Sequence, residues 1–323
     1  MKSRIGSARS AIISGAICLG ASPVFAQSNV TVYGFIDLAV VKESNKPTAV
    51  DRGYLNWLGV TGTEDLGGGL AATFNLMTRF NTDTGSNESS TFWHGESTVG
   101  LKSASLGHLR IGRAITPLFG LKYQFEPWGD SWFVGSLGKY QTTGRFFTNP
   151  TSCLTAAECP GFARLNNAVF YDSPTFGGFD VHLTTQVEVE PGAARKGSGA
   201  SINYAAGPFK AMFSWERNTE DMTALYLGGS YDFGPVVLMG SVGRSEQDDA
   251  SNQSSYVVAV TAPLPGNNGL RAGYGRNTTT KEDKVSFGLQ HFFSKRTQVY
   301  IDLYRERLDE SLNGYAVGIQ HSF

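Results

Sequence analysis

Chemistry-bearing residues are sparse in this 323-residue chain, and their spacing argues against a reaction centre. His94, His108, His182, His291 and His321 are dispersed, and none forms an H-E-x-x-H pair or another metal spacing. No G-x-S-x-G elbow is present. Gly67-Gly-Gly69 falls in a turn between strands and not ahead of a helix, so it is no phosphate loop. Nothing pairs a nucleophile with a base, and nothing calls for a cofactor. What stands out is one stretch, Ala114 to Ala163, holding Glu126, Asp130, Cys153, Cys159, four prolines and a cluster of aromatics that includes Trp128 and Trp132. Arg113 and Arg164 flank it. Its cysteines, separated by five intervening residues, favour a disulfide over a metal or a catalytic thiol in an oxidising compartment.

The elements that must position these groups are strands. Val30, Val32, Ile36 and Leu38 alternate with Thr31, Tyr33 and Asp37; Phe74 and Leu76 alternate with Thr73, Asn75 and Arg79. The same period of two returns at Phe209–Glu216 and Gln298–Leu303, and in the terminal run Tyr315, Val317, Ile319 and Phe323. One face suits hydrocarbon and the other water along the whole chain. Short Gly-, Pro- and Asn-rich turns alternate with longer polar loops, as in an outer-membrane barrel. Counting strands between these breaks predicts an all-β, 16-stranded antiparallel transmembrane β-barrel in one domain, with about 18–19 residues per strand and connection. The 114–163 stretch is too apolar for a solvated tail and must pack, and in a water-filled barrel the place is the lumen.

Residues 1–26 read as a cleaved signal peptide: Lys2, Arg4 and Arg9 precede a short apolar run, and Val24-Phe25-Ala26 fits a cleavage site. Removing three bases leaves 24 basic against 28 acidic residues, a balance that gives no reason to expect nucleic acid as a partner. Trp215, Tyr226, Tyr231 and Tyr315 are expected in interfacial girdles. Asp83, Glu88, Asp248, Asp249 and Glu282 are expected as solvated external charges.

Val30-Thr-Val-Tyr-Gly-Phe-Ile-Asp37, Leu58-Gly-Val-Thr-Gly-Thr-Glu-Asp-Leu-Gly-Gly-Gly-Leu70, Val99-Gly-Leu-Lys102, Gly107–Arg113, Arg164–Pro174 and Val317–Phe323 occur in one order across the mature chain. Together they resemble the trimeric general porins of Gram-negative outer membranes, and most closely those of beta-proteobacteria. The resemblance implies a homotrimer with water-filled pores for small hydrophilic solutes and ions, with lipid and lipopolysaccharide around it. It implies that the third external loop, 114–163, folds inward and constricts the pore. Glu126 and Asp130 would be the loop's acids, facing a basic wall that includes Arg113, Arg164 and Arg79. It further implies that Phe323 is the C-terminal signal read by the outer-membrane assembly machinery. Two departures stand out: Trp57 and Gly95 occupy positions where the family commonly has arginine. They thin the basic wall and raise an alternative, a channel preferring small organic acids, aromatic ones among them. A surface-structural or adhesive barrel with an occluded lumen is a further alternative.

Overall fold

The computed structural model describes residues 29–129, 134–143, 163–247 and 250–323. These residues form a single sheet of 17 strands, one of them only three residues long (Ala49–Asp51) and added to the first strand inside the first long loop. The remaining sixteen run from Asn29–Glu43 to Ser311–Ser322. Each strand is antiparallel to its neighbours, and the first pairs with the last from Phe35↔Ser322 to Glu43↔Gly314. The first strand also pairs with Asn56–Gly67, from Asn29↔Thr63 to Phe35↔Trp57, and the sheet therefore closes on itself. Closure leaves no unpaired edge, which is the condition for strands to cross hydrocarbon.

Period-two alternation decides which way each side chain leaves this sheet. Val32, Val99, Ile111, Val258, Leu303 and Ile319 are all exposed, and Val99 meets Ile111 in register on the neighbouring strand. On a soluble surface such a belt would drive association; against lipid it costs nothing. The opposite face carries the polar partners. Tyr300 donates to Asp37 over 2.8 Å and Gln320 donates to the other oxygen of Asp37 over 2.7 Å, joining the last two strands to the first.

The buried apolar clusters lie mainly where the long segment after Ile115 meets that inner face. One joins Leu118 and Phe125 to Met212, Met222, Ala224 and Tyr226. Another joins Trp128, Leu137 and Tyr140 to Met239, Val257 and Ala259. A β-bulge at Gly112–Ala114 starts this departure from the wall. Gly112 adopts φ 128°, a conformation open to glycine and poorly tolerated by other residues. Tyr226 therefore is not a girdle residue: its neighbours Leu225 and Leu227 face lipid, and its own ring lies against Phe125. Tyr231 and Tyr315 are exposed on the outer face, as a girdle requires.

Candidate constriction site

The segment leaves the wall at Thr116, whose hydroxyl caps a one-and-a-half-turn helix, Pro117–Lys122, by accepting from the Phe119 N–H at 3.4 Å. Pro117 sits in the first turn, where its missing N–H is no loss. A 3-10 turn, Tyr123–Phe125, follows. Lys122 is buried, donates to the Gly138 carbonyl at 3.1 Å and stands 3.7 Å above the Tyr123 ring. Gln141 donates to the Lys122 carbonyl at 2.7 Å and to the Tyr226 hydroxyl at 3.1 Å. The two halves of the segment thus hold one another and a wall tyrosine.

Glu126 is at the centre of this arrangement. Its Oε2 accepts from the backbone N–H groups of Trp128 (3.2 Å) and Leu137 (3.3 Å), while Oε1 is buried with no hydrogen-bond partner among the described residues. Burial pushes this carboxyl up to about 7, against the opposing pull of the two N–H donors and of Lys122 and Arg271. Its electrostatic partners are those two cations, and Glu126 acts as an internal brace.

The next residues reach the wall. The Trp128 indole N–H donates to Asp302 Oδ1 at 2.9 Å. Arg271 grips the same carboxylate with both arms, Nε to Oδ1 at 3.0 Å and Nη2 to Oδ2 at 2.6 Å. The Arg271 guanidinium also donates to the Pro127 carbonyl at 3.4 Å and lies 5.2 Å from the Trp128 ring centre. Fork geometry and low exposure make this a strong, directional attachment. Further along, Lys139 lies 2.9 Å from Glu282, and the Tyr140 hydroxyl donates to Glu306 at 2.7 Å. Asn277 donates to the Thr143 carbonyl at 3.0 Å.

A second cluster occupies the wall between the second and sixth barrel strands. Glu88 is not a solvated charge: it is 8% exposed. Arg79 holds it through two contacts of 2.7 Å, and Arg52 approaches at 3.2 Å. Burial alone would raise the Glu88 carboxyl, but His94, Arg79 and Arg52 outweigh it and bring it down to about 2. Arg113 donates to the His94 carbonyl and Arg164 to the adjacent Gly95 carbonyl, each at 2.8 Å. Gly95 thus supplies a carbonyl at a position where the resemblance leads one to expect an arginine. Trp57 pairs in register with Arg79 on one side and Phe35 on the other. Its ring stacks on Phe35 at 4.8 Å and 15°, and Tyr54 stands edge-on to both. A Cβ on Gly129 would lie 3.3 Å from the Tyr54 ring, so the end of the described loop reaches this aromatic group.

Of the predicted site residues, the structure brings together Trp57 with Arg79, and Arg113 with Arg164 through consecutive carbonyls. Glu126 belongs to the separate Lys122–Arg271 environment. Trp128 packs and anchors. Asp130, Trp132, Cys153, Cys159, Asp248, Asp249 and the 1–26 segment lie outside the described residues. Sequence reasoning missed Asp302, Arg271, Arg52, Tyr54 and Glu88. Asp302 carried one signal, a lone acid on the polar face between Ile301 and Leu303.

Residues 11–311 match the family described as Gram-negative porin. The chain belongs to that family. Among its relatives, the outer membrane porin protein 32 of Delftia acidovorans is 26% identical over 98% of this chain and 100% of that protein. The solved anion-selective porin from Comamonas acidovorans superposes with a TM-score of 0.77 at 24% identity, over 92% of this chain and 100% of that one. OmpT of Vibrio cholerae in its trimer form gives 0.68 at 15% identity, over 92% and 99%. This porin is therefore an outer-membrane protein whose sixteen strands enclose a diffusion channel for small hydrophilic solutes and ions. Its family consists of channels rather than enzymes.

Proposed function

We propose that this porin works as a homotrimer in which residues 114–163 narrow each pore, and that transport, with no catalysis, is its whole activity. The observation that carries this reading is the Trp128–Asp302–Arg271 attachment, which holds the described part of the segment against the polar face of the wall. A loop so held reduces the open section, and the charges beside it set ionic preference. Arg52 and Arg79 hold the buried Glu88, while Arg113 and Arg164 donate to the His94 and Gly95 carbonyls beside it, so that four arginines line this stretch of wall. Their excess favours a modest preference for anions. Trimer assembly draws support from the fold shared with the OmpT trimer form. Residues 1–26 would be removed on export, Phe323 would be read by the assembly machinery, and Asp130 would add negative charge near the narrow zone.

Trp57 favours a second reading within the same function. An indole stacked on Phe35, with Arg79 directly across the strand pair, offers a flat apolar surface beside positive charge. Small aromatic carboxylates combine both complements. Planar-bilayer recording in a salt gradient tests the pair of readings. Anion-leaning reversal potential with linear current supports general diffusion, and current that saturates with benzoate but not acetate supports the aromatic preference. A cation-leaning reversal potential would contradict the role given to the arginines.

A further inference from the structure

Pairing between the first strand and the chain that follows it is interrupted at one place. The first strand pairs with Asn56–Gly67 as far as Phe35↔Trp57, and with the short strand Ala49–Asp51 from Ala39↔Asp51 onward. Three residues, 36–38, lie between these pairs on one side, and five, 52–56, on the other. The surplus has to leave the plane of the sheet. It leaves inward. Gly53 is buried, and a Cβ there would fall 1.7 Å from the Tyr300 hydroxyl and 3.1 Å from Asp37 Oδ1. Tyr300 has little room to yield, because a Cβ on Gly318, its register partner on the last strand, would also meet the ring, at 2.4 Å. Ala39, Val41, Val134 and Tyr304 share its buried cluster, and its hydroxyl is fixed on Asp37 at 2.8 Å. Seated there, the first external loop carries two side chains toward the narrow zone. Arg52 reaches Glu88 Oε1 at 3.2 Å and is largely shielded from solvent. Tyr54 stands edge-on to Phe35 and Trp57, with the Cβ position of Gly129 3.3 Å from its ring.

We propose that this first loop is a second constricting element of the pore: Gly53 seats it on Tyr300, and Arg52, which the seat holds in place, is a specificity-determining cation. The inference rests on the channel reading of the site. A loop that only joined two strands would need no surplus at 52–56 and would keep its arginine in the external solvent, where charge is cheapest. Here the backbone is brought against a buried tyrosine at a residue with no side chain, and the arginine beside it is carried to the inner wall. Arg52 is also more than Glu88 requires. Arg79 already meets that carboxylate through two contacts of 2.7 Å, so one carboxylate faces two guanidinium groups and a positive charge is left over. At an inner wall beside the solute path such a charge favours anions. The contact of Tyr54 with Gly129 joins this element to the segment that carries Trp128, so the two loops bound the narrow zone together.

The test records the full mature porin in planar bilayers, as wild type, Gly53→Ala, Tyr300→Phe, the Gly53→Ala/Tyr300→Phe double variant and Arg52→Gln. The methyl added at position 53 overpacks the seat and displaces the loop with its arginine. Gly53→Ala is therefore expected to raise single-channel conductance about 1.5-fold or more and to lower the anion-to-cation permeability ratio about twofold. Tyr300→Phe removes the atom that the methyl meets first, so the double variant is expected to return to the conductance of Tyr300→Phe alone. Arg52→Gln, with the seat intact, should lower the ratio about as far and raise conductance less than Gly53→Ala. Wild-type conductance and ratio in Gly53→Ala would overturn the proposal, as would a double variant as open as Gly53→Ala. An unchanged ratio in Arg52→Gln would overturn the role given to that residue, and decides the matter alone if Gly53→Ala does not assemble. Asp302→Ala separates the two loops. Raised conductance in Gly53→Ala beside unchanged conductance in Asp302→Ala would fault the narrowing assigned to 114–163 and support the first loop; the reverse would overturn the first loop.

Discussion

Trp128 and Asp302 lie 174 positions apart in sequence and 2.9 Å apart in space, an indole N–H donating to a carboxylate that Arg271 already holds. This contact ties the described residues 116–129 of a proline- and aromatic-rich excursion to the polar face of the barrel wall. Trp128→Phe keeps the ring and removes the donor, while Asp302 keeps Arg271. The expected cost is on the order of 1–2 kcal/mol of loop attachment. Limited proteolysis of the folded protein in detergent checks it: cleavage within 114–163 should become several-fold faster, with cleavage elsewhere unchanged.

The buried Glu126 gives that attachment a pH dependence of definite sign. Its carboxyl is held up to about 7, above the ordinary glutamate value of 4.5. The docked state therefore binds the proton more tightly than an undocked loop. Docking is undiminished below about 4.5, weakens as pH rises to about 7, and is constant above; the full effect is on the order of 3 kcal/mol. Glu88 runs oppositely, since its value of about 2 makes its ion pairs fail as pH falls from 4.5 toward 2. Current noise should thus be lowest near pH 4.5 and rise on both sides. Glu126→Gln should abolish the rise toward pH 7 and leave the acid limb. A wild-type trace equally quiet from pH 4.5 to 7 would contradict the brace assigned to Glu126.

Trp57 stands where an arginine would continue the basic wall, directly across from Arg79. Trp57→Arg should raise the anion-to-cation permeability ratio about twofold and remove any saturation by aromatic carboxylates. Reversal potentials for chloride and benzoate salts measure both effects. An unchanged ratio would place this residue outside the narrow zone.

The barrel seam offers a separate check. Gly34 and Phe323 exchange two backbone hydrogen bonds of 3.1 Å, and a Cβ at Gly34 would fall 2.3 Å from the Phe323 ring. Gly34→Leu must move that ring, at a cost of about 1–3 kcal/mol. Heat-modifiability on gels should show a lower unfolding temperature and less assembled protein, while Phe323→Ala in the same background restores the fit but not the yield.

The barrel was legible because its face pattern repeats strand after strand; Val32 and Asp37 announce outside and inside before any partner is known. Closure of the last strand on the first follows from the same pattern. Individual errors had local causes. Residue type alone points Tyr226 to a girdle, whereas parity with Ala224 and Gly228 turns it inward beneath Phe125. The polar loop around Glu88 suggests a solvated charge, yet Arg52, Arg79 and His94 close around it. The attachment at Asp302 was invisible for a different reason: a loop's contacts are fixed by tertiary geometry, and nothing local to Asp302 names Trp128 as its partner. Trp57 beside Arg79 was legible, since register on neighbouring strands decides it.

The central claim, that the segment anchored at Trp128 narrows the channel, is tested most directly by single-channel conductance of an Asp302→Ala variant, with liposome swelling by sugars of graded size. Removing the carboxylate deprives Trp128 of its acceptor and leaves Arg271 buried without its counter-charge, a loss of about 3–5 kcal/mol. The account predicts higher conductance and a larger size limit while the barrel still runs as a heat-modifiable folded species. Unchanged conductance and an unchanged size limit in a properly folded variant would contradict it.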